Sequence, residues 1–217
     1  MTEAPADRAR DTAFGQQGQL SAVDRFGVWL SSRRIRRHVT SFDGLRIVDI
    51  GCGYHAPFAR SVLDKVEHAV LLDVALDRDL KRHPHVEVIE GPLPDTLAPL
   101  PAASVDVVLC ISVLEHLWEP QQALAEMHRI IQPGGVCLVN VPSWRGKRFL
   151  ELSAFRLGLS PADEMNDHKA YYDPRDLWPL LVRAGFRPQD IRLSRHKFGL
   201  NTFAACRKAT DDHDQLH

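Results

Sequence analysis

Residues 47–53, Ile-Val-Asp-Ile-Gly-Cys-Gly, constrain the fold more than any other stretch, because an apolar run carrying an acid passes directly into a turn with two glycines. A buried strand running into such a turn is how an open α/β fold begins its ligand crevice. Gly51 and Gly53 allow positive φ and a close backbone approach that no Cβ would permit. The chain then continues Tyr54-His55-Ala56-Pro57-Phe58, without the third glycine of a dinucleotide fingerprint. Pro57 suits the first turn of a helix, so strand, turn and helix are expected while a pyrophosphate cradle is not.

Three further pieces follow in order. The segment His68-Ala69-Val70-Leu71-Leu72-Asp73 reads as a second strand ending in an acid, placed where this kind of fold holds a ribose diol. Val105 to Cys110 is a near-continuous apolar run, as a central parallel strand requires, and it leads into Val113-Leu114-Glu115-His116-Leu117. A helical period through Ala123, Leu124, Met127 and Ile130 then closes at Pro133-Gly134-Gly135, before a fifth strand over Val136 to Val141.

From about residue 45 to about residue 142, this order and spacing resembles the class I S-adenosylmethionine-dependent methyltransferases. The resemblance implies an α/β fold, Rossmann-like, with a seven-stranded, mostly parallel sheet, one antiparallel strand and helices on both faces. The chain's end fits that picture: strand-like segments at 190–196 and 201–206 are joined by only Lys197 to Leu200, too short for a parallel return. By the same resemblance, Asp49, Gly51 and Gly53 line the methionine part of S-adenosylmethionine and Asp73 takes the ribose hydroxyls. Leu93 is expected to press on the purine face, with Ile111 or Ser112 at the end of the fourth strand lining the same cavity. Relatives often carry an acid after the third strand to accept from the adenine amine; here Glu90-Gly91-Pro92 puts proline at that position.

Other segments fix the expected organisation. Residues 1–18 are polar and are expected to be flexible, and 207–217 form a polar tail expected to be disordered. One domain spans 19–206, with an N-terminal helical region at 19–42, where Val23, Phe26, Leu30 and Ile35 recur at helical spacing. Arg33, Arg34, Arg36 and Arg37 crowd the end of that helix, where cations suit its dipole. Residues 143–172 interrupt the alternation of strand and helix at the carboxyl edge of the sheet, and read as a cap insertion over an acceptor pocket.

Charge and composition exclude several classes. Lys plus Arg number 27 against 28 Asp plus Glu, a net charge of −1, so nothing favours general nucleic-acid binding. No apolar run reaches the roughly 18 residues that a membrane span needs, and the polar start lacks a signal-peptide core, so a cytoplasmic protein is expected. Cys52, Cys110, Cys137 and Cys206 are scattered and read as reduced core residues. No metal site is expected: His83 and His85 flank Pro84 in a polar connection, and the acid that some quinone-pathway relatives carry three residues before the Glu-His pair is Ser112 here.

A hydroxyl acceptor at neutral pH needs a base, and histidine has the matching pKa. His116 and His168 are the catalytic candidates, the latter because Asn166-Asp167-His168-Lys169-Ala170-Tyr171-Tyr172 crowds acid, base, cation and phenols into one cap stretch. Trp144, Arg145, Asp167, Tyr171 and Tyr172 are the candidate substrate contacts, with Arg145, Lys147 and Arg148 suiting an anionic or glycosidic small molecule. The expected function is methyl transfer from S-adenosylmethionine to such an acceptor, O-methylation favoured, by a monomer or homodimer. The rivals are a catalytically silent binding protein of the same fold and an NAD(P)-dependent oxidoreductase.

Overall fold

The computed structural model describes residues 12–149 and 168–210. Seven strands form one sheet: β1 (Arg46–Ile50), β2 (His68–Asp73), β3 (Val86–Glu90), β4 (Val105–Ile111), β5 (Ile131–Pro142), β6 (Ile191–His196) and β7 (Asn201–Arg207). Their spatial order is β3-β2-β1-β4-β5-β7-β6, and β1 to β5 pair parallel. Only β7 is reversed: it pairs antiparallel with both β5 and β6. The strand order turns back on itself between β1 and β4, and at that switch point the carboxyl ends of neighbouring strands diverge to leave a crevice.

The principal helices pack on the two faces as their apolar stripes dictate. Helix α1 (Ala22–His38) opens with a capping box in which Ser21 and Asp24 exchange hydrogen bonds. Its end is tied down by its own cations: Arg34 lies over the Phe203 ring, Arg36 lies over Phe58 and donates to Ser61 Oγ at 2.8 Å. Arg34 and Arg36 thus anchor the end of the helix to the rest of the fold. Helix α2 (Pro57–Arg60) is a single turn beginning at proline. Ile35, Val39, Phe42, Phe58 and Val62 form one apolar layer with Ile47, Leu71 and Leu109 of the sheet.

The opposite layer comes from α3 (Pro120–Ile130) and α4 (Pro174–Arg183). Ala123, Leu124, Met127 and Ile130, spaced for one helical face, are fully buried beside Leu177 and Leu181. Gly185 ends α4 at φ 111°, and an added Cβ there would press into the His128 ring. The fifth strand starts at Ile131 rather than Val136, because its first residues pair with β4 through a register shift between Val105 and Val107.

The described parts of the two terminal segments, residues 12–18 and 207–210, make specific contacts. Ala13 is buried and the Phe14 carbonyl accepts from Tyr54 N–H at 2.9 Å. Arg207 belongs to β7, and Lys208 Nζ donates to the carbonyls of His128 and Ile131 at 2.9 and 2.8 Å. No helix among the described residues is long and apolar enough to cross a membrane.

Candidate functional site

The turn after β1 is fastened to the end of β2. Gly51 and Cys52 donate to the Leu72 carbonyl at 2.7 and 3.2 Å, and Gly53 N–H donates to Asp73 Oδ2 at 2.8 Å. Val74 N–H donates to Asp73 Oδ1 at 2.8 Å, so the acid closing β2 is oriented by backbone on both oxygens. Gly51 and Gly53 take φ of 63° and 78°, as their sequence context demands. The close approach they permit is partly to the protein itself: a Cβ on Gly51 would overlap a Val113 methyl, and one on Gly53 would sit 3.2 Å from the Phe14 carbonyl.

A cavity of about 570 Å³ opens above this turn, a volume suited to a drug-sized ligand. One end holds Asp49, Gly51, Gly53, Asp73, Leu93 and Ile111, all six of the residues expected at a cofactor. Asp49 is buried, and its carboxyl pKa is pushed up to about 7, first by desolvation and then by the negative charge of Asp73. A buried acid in that state favours a cation beside it. Glu90 is engaged elsewhere, accepting from Leu76 N–H at 2.8 Å and pairing with Lys81 at 2.7 Å. Pro92, Leu93 and the buried Thr96, which follow it in the chain, line the cavity wall.

The other end brings His116 and His168 together, with ring centroids 4.9 Å apart at an interplanar angle of 63°. His168 Nδ1 lies 3.2 Å from the Tyr171 hydroxyl. The irregular segment holding His168 is docked by main chain, since Lys169 and Ala170 N–H groups donate to the Glu115 carbonyl at 2.7 and 3.2 Å, and Tyr172 N–H donates to Pro142 O at 2.9 Å. Glu115, His116 and His168 each offer one ligand atom, all within 4.8 Å of one another. Spacing alone does not announce that three-donor group, because His168 is separated from the Glu-His pair by about fifty residues.

The expected substrate contacts fare differently. Tyr171 and Tyr172 are buried, and Tyr172 belongs to the apolar layer under α4, its phenol pushed up to about 12 by burial and by the nearby Glu115 charge. Neither lines the cavity. Trp144 packs on Tyr171 with Lys147 above it, and Arg145 lies in a separate shallow cleft with Arg175 and Arg195. Asp167 lies outside the described residues. Residues 144–149 are helical, and of them Gly146 and Phe149 reach the cavity wall. Reasoning from sequence missed Phe14, Ser31, Thr96 and Lys197, all of which line the cavity. Phe14 is a lone aromatic in a polar stretch, and Lys197 sits in what reads as a mere hairpin connection.

Residues 48–139 match the family model described as a methyltransferase domain. A probable S-adenosylmethionine-dependent methyltransferase of Mycolicibacterium smegmatis is 32% identical over 162 residues, covering 72% of this chain and 58% of that protein. A ubiquinone biosynthesis O-methyltransferase of Rickettsia typhi is 23% identical over 193 residues, covering 82% of this chain and 74% of its own length. Among solved structures, a SAM-dependent methyltransferase from Archaeoglobus fulgidus superposes with a TM-score of 0.61 at 16% identity, covering 87% of this chain and all of that one. The chain thus spans little more than half the length of the mycobacterial relative, and the distant structure speaks to the fold alone.

Proposed function

We propose, on the premise that this chain carries a class I S-adenosylmethionine-dependent methyltransferase domain, that it transfers a methyl group to the oxygen of a small-molecule acceptor. One observation carries the reading. A single cavity is lined by two acids, the buried Asp49 and Asp73, the latter held by backbone N–H groups on both oxygens, and by a histidine pair, His116 and His168. The cofactor fits beside the acids: a ligand bearing a sulfonium and an ammonium meets a carboxyl that is costly to bury unless a cation stands beside it. Asp49, Gly51 and Gly53 would hold its methionine part, Asp73 its ribose, and Leu93 and Ile111 the purine faces.

When bound, that cofactor supplies an already activated methyl group, so the protein's task is alignment. Holding two reactants in a near-attack geometry is worth roughly 7 to 11 kcal/mol. The apolar walls formed by Phe14, Val113, Leu117 and Pro142 exclude water from the aligned pair. His168, with Nδ1 held by the Tyr171 hydroxyl, takes the acceptor's hydroxyl proton at Nε2, while His116 packs against its ring and fixes its tilt. Similarity to a ubiquinone O-methyltransferase favours oxygen as the acceptor atom. A sugar or secondary metabolite with a free hydroxyl suits the half-polar acceptor end.

A nicotinamide enzyme fits poorly. The helix after Gly53 is one turn of four residues, too short to present a dipole and a row of N–H groups to a diphosphate. Incubation with methyl-labelled S-adenosylmethionine and a host metabolite extract, followed by mass analysis, tests the proposal: a labelled small-molecule product supports it. Donor binding without any labelled product would instead point to a silent binding protein of this fold.

A further inference from the structure

The β6–β7 connection is far more elaborate than a hairpin needs. Lys197, Phe198 and Gly199 have φ of 45°, 59° and 84°, three consecutive residues in the left-handed region, two of which carry a side chain. Such a run persists only where the surroundings over-determine it, and here they do. Ser143 Oγ donates to the Gly199 carbonyl at 3.0 Å, and Ser143 N–H donates to Leu200 O at 2.9 Å. Gly146 packs so closely on the Leu200 carbonyl that an added Cβ would overlap it. The turn is thus bolted to the segment after β5.

That fixed turn aims the Lys197 side chain under α1. Its Nζ comes within 3.7 Å of where a Cβ on Gly27 would sit, so Gly27 makes room for the ammonium. Lys197 lines the same cavity as Glu115, His116, His168 and Asn201. Burial lowers its pKa, and the carboxylates of Glu115 and Asp24 partly offset this from a distance. Neither carboxylate stands within the 4.0 Å of an ion pair with it among the described residues.

We propose that Lys197 is the specificity residue of the acceptor end, binding a carboxylate carried by the acceptor. This rests on the methyl-transfer reading and goes beyond it by naming the charged group that the acceptor brings. A single ammonium, with two carboxylates already in its field, suits one negative charge better than the two of a phosphate monoester. It also relocates anion recognition, which sequence placed at Trp144 and Arg145, to a half-buried residue on the far hairpin. A partly desolvated ammonium discriminates for charge more sharply than an exposed arginine.

The test is a titration of the full chain with 4-hydroxybenzoate and with 4-hydroxybenzamide, a pair matched in shape and differing in charge. Both are measured on the protein alone and on protein saturated with S-adenosylhomocysteine. Wild type is expected to bind the carboxylate about tenfold tighter than the amide, and Lys197→Met to bind both within about twofold, with S-adenosylhomocysteine affinity unchanged. Lys197→Gln replaces the Met variant if thermal melting shows that one unfolded. Equal binding of the two probes by wild type, no binding of either at about 10 mM, or a preference that survives loss of the ammonium overturns the proposal. Failure of S-adenosylhomocysteine to bind would sink the methyl-transfer reading instead, and the titrations without it still read Lys197.

Discussion

Replacing Asp49 with asparagine should make the ligand-free protein more stable while weakening its grip on the cofactor. Folding raises the Asp49 carboxyl pKa from an ordinary 3.8 to about 7, chiefly by burial. At about 1.4 kcal/mol per pH unit, ionising it in the folded state costs about 4 kcal/mol at pH 8. The sign follows from proton binding. Between pH 4 and 7 the folded state keeps a proton that the unfolded chain has lost, so wild-type stability falls as pH rises through that window. Asparagine has no such proton, and every other titrating group is common to both proteins, so the difference between them isolates Asp49. Urea unfolding at about pH 4.5 and pH 8 should show the Asp49→Asn advantage growing by about 2 to 4 kcal/mol across the interval, a shift of roughly 4 to 16 °C in midpoint temperature for a domain of this size. Saturating cofactor should shrink or reverse that advantage at pH 8, because a bound cation lowers the carboxyl pKa and stabilises wild type alone. Parallel pH profiles for the two proteins, or a variant that binds cofactor as tightly as wild type, would refute the reasoning.

Three further substitutions and a chelation test separate structural from chemical roles. Gly51→Ala should destabilise by about 3 kcal/mol, since it combines a left-handed backbone with overlap on Val113, whereas Gly53→Ala should cost about 1 to 2, meeting only the Phe14 carbonyl at 3.2 Å; denaturant melts read both. His168→Ala should lower turnover at least about tenfold with cofactor affinity little changed, as expected for loss of a general base; equal loss of both would assign His168 a folding role. In the same assay turnover should survive chelation, and loss on chelation with recovery on adding a divalent cation would instead make Glu115, His116 and His168 a metal triad.

The sheet, and the gathering of Asp49, Gly51, Gly53 and Asp73 around one cavity, were legible because local sequence and fold agree there. Val107 to Cys110 is apolar on both faces because β4 lies between β1 and β5 with helices on each side, and the glycine-acid pattern of 47–53 leaves few other turns open. The acceptor end was legible only in part. His116 and His168 converge on the cavity, yet of the two tyrosines equally conspicuous in sequence Tyr172 packs in the core and Tyr171 lies between His168 and Trp144, neither lining the cavity. Which side of an extended segment meets a cavity is decided by docking, here the hydrogen bonds of residues 169, 170 and 172 to Glu115 and Pro142, and no periodicity announces it. Phe14 and Lys197 were hidden for a related reason. Each owes its place to one distant contact, the Tyr54 N–H to Phe14 O bond and the Ser143 clamp on the hairpin, rather than to its neighbours in the chain.

Calorimetric titration with S-adenosylhomocysteine bears most directly on the central claim, that the crevice above Gly51 and Gly53 is built for an adenosyl-amino-acid ligand. A one-to-one isotherm with a dissociation constant of about 1 to 100 µM, weakened in Asp73→Ala, is the expected result. A flat titration at about millimolar ligand with a well-folded protein would contradict it.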